Sequence, residues 1–214
     1  HGGVHIHPRG WGLDFHYGDI QTVDRTVYYG IEILGMKHSK ERKDLRSSRD
    51  ANAYAYGKLN SMYIFRPSIG YKRVLTDKFR KNGVEVSWHN SFGPSLAVTK
   101  PVYLEVTIEG EPLSSFAVER YDPDKHFVNN IIGRASVLEG FGELRLWPGI
   151  HIKSGLFFEF SPYQRQLKGI EVGMGLDGYI EEIPLMAFEH NNRFFHSFYI
   201  NLFLGKKYNR SISE

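Results

Sequence analysis

The chain contains no cysteine. That excludes a structural disulfide, a thiol nucleophile and a Cys-ligated metal together. No stretch approaches the ~18 consecutive apolar residues of a membrane-spanning helix. Nowhere do apolar residues recur at i, i+3, i+4, i+7 between helix caps. Charge of one sign is scarce: the net is +3, dispersed along 214 residues, which argues against a nucleic-acid partner. No signal peptide is visible. Because the chain opens on His1-Gly2-Gly3, the expectation is that a leader was removed or trimmed. The mean hydropathy of −0.38 does not argue against a membrane, since transmembrane strands hide their apolar residues at alternate positions. The length fits one domain, 1–214.

What is present is two-residue periodicity. From Gly83 to Thr99, Val84, Val86, Trp88, Asn90, Phe92, Pro94, Leu96 and Val98 fall on one face, and Glu85, Ser87, His89, Ser91, Gly93, Ser95, Ala97 and Thr99 on the other. Successive strand residues point to opposite faces, so this segment has one apolar wall and one small, polar wall. The same alternation puts Leu144, Leu146, Ile150, Ile152, Leu156 and Phe158 opposite Glu143, Arg145, His151, Lys153 and Glu159. It puts Ile170, Val172, Met174 and Leu176 opposite Glu171 and Asp177, and Phe198, Ile200 and Leu202 opposite Ser197, Tyr199 and Asn201. Trp11, Leu13, Phe15 and Tyr17 oppose Asp14 and His16; Val27, Tyr29, Ile31 and Ile33 oppose Glu32.

Eight strands follow, at about 3–7, 11–18, 26–36, 58–75, 83–100, 142–160, 167–180 and 194–206. From the second onward, the connections alternate between short and longer. The expected fold is all-β: a closed antiparallel eight-stranded transmembrane β-barrel with short periplasmic turns and long external loops. Closure removes the strand edges that lipid would not tolerate. Aromatics near strand ends, among them Tyr17, Tyr71, Tyr103 and Tyr179, fit interfacial girdles.

In that fold the lipid-facing set is Val84, Val86, Trp88, Phe92, Leu96, Ile150, Ile152, Leu156, Phe158, Val172, Leu176, Phe198, Ile200 and Leu202. The lumen holds an ion-pair network of Glu32, Arg66, Lys72, Glu85, His89, Glu143, Arg145, His151, Lys153, Glu159, Glu171 and Asp177. A barrel of this size has room only for its side chains, and buried charges must be paired. The expectation is a plug and not a pore. Loop or rim groups such as His126, Ser136 and His196 are the candidates for catalysis, but no spacing unites them, and none is assigned as catalytic. His5-x-His7 has a metal-gripping spacing, with His1 and His16 near in sequence but no evident third ligand. The reading is therefore of no metal and no cofactor. Lys37 to Asp50 is a charged, external loop able to meet glycolipid phosphate. The 101–141 connection carries enough hydrophobics to fold back on the barrel mouth or on a partner.

Several segments are similar to small outer-membrane barrel proteins of Bacteroidota: Gly10-Trp-Gly-Leu-Asp-Phe15, Tyr56-Gly-Lys-Leu-Asn60, Ala97 to Leu104, Tyr121-Asp-Pro123 with His126-Phe127, Gly133-Arg-Ala135, Trp147-Pro-Gly-Ile150, Pro184 to Phe188 and Phe203 to Asn209. The resemblance implies a barrel in the bacterial outer membrane, and it carries no active-site residue. The expected role is a non-enzymatic structural or interaction subunit of a larger outer-membrane complex, such as those for barrel assembly or protein export. Its partners would be outer-membrane lipids and glycolipid, with other outer-membrane protein subunits. The alternatives are a lipid-modifying outer-membrane enzyme and a soluble lipocalin-like barrel that binds small hydrophobes with its apolar faces turned inward.

Overall fold

The computed structural model describes residues 2–7, 10–22, 24–38, 41, 52–76, 83–108, 115–160, 167–187 and 191–204. Eleven strands form: β1 (Gly2–His7), β2 (Gly10–Thr22), β3 (Arg25–Met36), β4 (Asn60–Thr76), β5 (Glu85–Pro101), β6 (Tyr103–Thr107), β7 (Phe116–Arg120), β8 (Ile131–Arg134), β9 (Arg145–Glu159), β10 (Leu167–Ile183) and β11 (Asn192–Leu204). The only helical element among the described residues is a 3-10 turn at Phe141–Glu143, and no helix there is long and apolar enough to cross a membrane.

The expected fold, one closed eight-stranded barrel with loops, is corrected in two respects. First, the strands divide between two sheets, one of them a three-stranded sheet of order β7-β6-β8. This small sheet, the head, is built from the 101–141 connection. That connection is a folded element because Leu104 and Val106 on β6 and Ile131 on β8 need a common core. Second, closure of the large sheet is not an even ladder. Seven strands, β11-β10-β9-β5-β4-β3-β2, pair antiparallel along most of their lengths. The short β1 pairs with β2 at six positions but meets β11 at a single register pair, Ile6↔Ile200. The order thus returns to β1 as a barrel with a seam, and the physical reason is that β1 is six residues long beside a 13-residue β11.

All seven neighbouring pairs within the continuous sheet and across β1–β2 are antiparallel, so the connections fall alternately at two ends. The chain therefore leaves β2, β4 and β9 at one end, the short-turn end, and leaves β3, β5 and β10 at the other, where the head lies. Two prolines interrupt the wall. Pairing between β4 and β5 skips from Phe65↔Leu96 to Ile69↔Phe92, and Pro67 and Pro94, which have no N–H to give a ladder, sit in the gap. The β4 backbone bows inward there. A Cβ on the facing Gly93 would collide with the Pro67 carbonyl oxygen, so only glycine fits.

Two cores result. One fills the barrel interior at the head end with Leu34, Met36, Met62, Ile64, Tyr179 and Phe195, against which Trp147 packs. The other lies under the head, where Tyr54, Val102, Leu104, Val106, Tyr121 and Ile131 meet. Backbone bonds join them: Leu59 N–H donates to Leu185 O (2.9 Å) and Val102 N–H to Leu59 O (2.9 Å).

Candidate functional site

The polar face of every long strand turns into the barrel, and its charges gather at mid-height. Arg66 on β4 is 2% exposed and Asp177 on β10 is 1% exposed. The Arg66 guanidinium grips Asp177 with two donors, Nε to Oδ1 at 2.8 Å and Nη2 to Oδ2, and donates Nη1 to Glu32 Oε2 on β3 at 2.9 Å. Lys153 on β9 reaches the other Glu32 oxygen. Ser95 on β5 donates to Asp177 Oδ1 at 3.1 Å and shares a bond with Tyr179 Oη. Two cations meet two carboxylates from four strands, with Ser95 joining from a fifth, and the fork geometry of the guanidinium suits a two-oxygen partner. Their mutual attraction offsets the several kcal/mol that burying each ion costs only because every charge has a partner.

A second cluster lies nearer the short-turn end. Glu171 on β10 accepts from Tyr199 Oη (3.1 Å) and Asn201 Nδ2 (3.3 Å) on β11, with His89 Nδ1 at 3.7 Å. His89 stacks on Phe157 with ring centres 5.4 Å apart. His16 Nδ1 lies 3.0 Å from Asp14 Oδ2, and His151 Nδ1 donates to the Pro94 carbonyl at 3.1 Å. Between these groups is a cavity of about 30 Å³ lined by Asp14, His16, Glu32, His89, Lys153 and Glu171. A water needs ~10–15 Å³, so this space suits water and is too small for an organic ligand. No three His, Asp or Glu side chains among the described residues are arranged to hold a metal ion. The side chains of His5 and His7, and all of His1, lie outside the described residues.

Of the twelve expected lumen residues, Glu32, Arg66, His89, His151, Lys153, Glu171 and Asp177 converge as just described. Lys72 and Glu85 pair with each other at 3.4 Å on adjoining strands. Glu159 ends β9 at the short-turn rim, opposite Glu85 and Gly169. Glu143 and Arg145 are corrections. The strand begins only at Arg145, which is exposed at the rim. Glu143 is in the 3-10 turn outside the barrel, where it accepts from Tyr103 Oη at 2.5 Å and Arg120 Nη1 at 3.2 Å. Alternation gives the face of a residue but not where the strand starts, and β9 starts after Glu143. The three rim groups do not assemble. His126 is buried in the head, where its Nδ1 accepts from Asp122 N–H and its Nε2 lies 3.2 Å from Glu119. Ser136 is in an outer turn and His196 is exposed on β11. The Lys37 to Asp50 loop lies mostly outside the described residues.

The apolar face turns outward. Trp88, Phe92, Ile150, Ile152, Leu156, Val172, Leu176, Phe198, Ile200 and Leu202 are exposed, as are Leu13, Phe15, Ile31, Ile33 and Ile69 on strands for which no outward residue was assigned. Val84 is also exposed, just before β5; Val86, Leu96 and Phe158 are partly covered on the same face. The inward-facing apolar arrangement of a lipocalin-like binder is thus not the one adopted here, and the lumen is charged. Trp88, the one outward indole on β5, gives its N–H to Ser154 Oγ beside it at 2.9 Å. Sequence reasoning missed the apolar end of the lumen. Its signal was loss of alternation: Ile33-Leu34 and Met62-Tyr63-Ile64-Phe65 are apolar on both faces, because they have barrel exterior on one side and the head-end core on the other.

Comparison of the chain with protein-family models, with curated proteins and with solved structures found no match in any of the three.

Proposed function

We propose that this protein is a non-enzymatic, membrane-embedded β-protein of the bacterial outer membrane, a structural and interaction subunit that carries its head for docking to other subunits. The observation behind this reading is the pairing of an outward apolar girdle with an inward network of ion pairs. In water such a girdle would be an aggregation surface far larger than the few hundred Å² that soluble monomers leave bare. In a bilayer it is the stable face. Its height suits the task. Outward apolar residues on β9 run from Leu146 to Phe158, roughly 40 Å along a strand; at the usual tilt of ~40° this becomes ~30 Å, the thickness of a hydrocarbon core.

The filled lumen supports a structural role, because its central charges, Arg66, Asp177, Glu32 and Lys153, are bonded to one another. The head supports an interaction role. Its edge strand β7 presents Phe116 and Val118 to solvent, and an exposed strand edge is a site for pairing with another chain.

The test is gentle detergent extraction from native membrane, followed by mass spectrometry of what co-purifies. The reading expects the protein in the membrane fraction, resistant to alkaline carbonate, with stoichiometric protein partners. A monomer recovered from the aqueous fraction would end the membrane claim, and a membrane monomer without partners would end the subunit claim.

A further inference from the structure

We propose that the turn from Ser136 to Leu146 is a collar that seats the barrel in the membrane interface, with its apolar side chains inserted among lipid at the headgroup boundary. This rests on the membrane reading above.

The argument starts from Lys100. On β5 the outward positions are even-numbered, and Lys100 is the next outward step beyond Leu96 and Val98. A lysine at that place would be expected in the interface, yet it is only 2% exposed. What covers it is the collar. The Lys100 ammonium donates to the Val137 carbonyl and lies 4.4 Å from the centre of the Phe141 ring. Ser61, opposite Lys100 on β4 and outward like Tyr63 and Phe65, is covered too. The collar therefore lies on the outer wall of the barrel and not over its mouth.

It is held closely. Gly140 has φ of 82°, the left-handed region open to glycine, and a Cβ there would come within 2.9 Å of the Pro101 carbonyl oxygen. Glu143 is tied to the head by Tyr103 and Arg120. The outer side of the turn exposes Val137, Leu138, Leu144 and Leu146, and about half of Phe141 beyond its contact with Lys100, beside the exposed Glu139 and Arg145. Leu138 is 77% exposed, and no residue of the 3-10 turn is buried. Five large apolar groups left bare in one short ordered turn, with the exposed Glu139, Glu143 and Arg145 among them, are unusual beside water and suit a lipid interface.

Continuity identifies the occupant. Leu144 and Leu146 have the same parity as Ile150 and Ile152 and extend the β9 stripe to the collar without a break. The girdle's ~30 Å height ends at Leu146, so the collar falls at the boundary, where apolar side chains penetrate ~5–10 Å. The exposed Arg145 between the two leucines can extend its stem along them and place its guanidinium among phosphates.

The chain has no cysteine, so single substitutions give clean labelling. Spin labels would be attached to Leu138→Cys and Phe141→Cys in the collar, Phe92→Cys in the girdle and Lys125→Cys in the head. The full chain is reconstituted in phosphatidylethanolamine–phosphatidylglycerol vesicles, and collision with oxygen and with a water-soluble nickel chelate is measured. The expected result is oxygen-dominated collision at 138 and 141, several-fold above 125 and shallower than at 92. Nickel-dominated collision at 138 and 141 with lipid values at 92 overturns the collar and leaves the membrane reading standing. Protection from both reagents at 138 and 141 also overturns it, because protein and not lipid would then cover the turn. Water values at 92 remove the membrane reading and the collar together.

Discussion

Arg66 has three of its donors on carboxylates from β3 and β10, inside a wall that water does not reach freely. Removal of one partner from such a group costs more than the interaction itself contributes, since the other charge stays buried and unpaired. Arg66→Met should therefore lower unfolding stability by about 3–5 kcal/mol, read from urea denaturation of the detergent-solubilised protein. Arg66→Met combined with Asp177→Leu should recover part of that loss, because Glu32 keeps Lys153 and the orphaned carboxylate has gone. A single variant as stable as the parent would show that the network contributes no more than a surface pair.

At the scale of elements the head has its own titration. Tyr121 is buried beneath it, and that burial, with the nearby Tyr56, pushes its pKa from the ordinary 10.0 up to about 12. The raised value means that the fold favours the neutral phenol. This contribution is fully present below the unfolded pKa of 10.0 and is lost as pH rises through about 12. The head should therefore loosen between these limits while the barrel ladder persists, with the change followed by phenolate absorbance and near-ultraviolet circular dichroism. Tyr121→Phe should move the onset upward; an unchanged onset would place the sensitive group elsewhere. The seam is another element-scale feature. Ile6 and Ile200 are paired across it, and paired antiparallel Cα atoms lie ~4.5–5.5 Å apart, within disulfide reach. Ile6→Cys with Ile200→Cys should oxidise readily and stabilise the protein by about 2–4 kcal/mol, reversed by reductant. If no bridge forms under oxidising conditions, the two strands do not meet there.

For the whole molecule, the decisive quantity is open cross-section. Among the described residues, a cavity of only about 30 Å³ lies between the two charge clusters and apolar side chains pack the head end. Planar bilayers holding the protein should show conductance at background, and loaded vesicles should retain small solutes. Steady single-channel steps would contradict the plugged lumen.

The sequence by itself determined the strand character and the facing of most side chains, the inward turn of Glu32, Arg66, Lys153 and Asp177 included, because side-chain direction alternates strictly along an extended chain. It foreshadowed that the long connection folds back on something from Phe116, Val118, Phe127, Val128, Ile131, Ile132, Val137 and Leu138, of which the structure buries Ile131 and leaves all but Ile132 of the rest exposed. Tertiary structure alone decided which partners meet across the lumen, that β1 closes the ring at one position, that the connection makes a second sheet, and that Glu143 belongs to the head. Each of these depends on register between segments far apart in the chain. Periodicity within a segment gives the direction of a side chain, but not where the strand ends or what lies opposite.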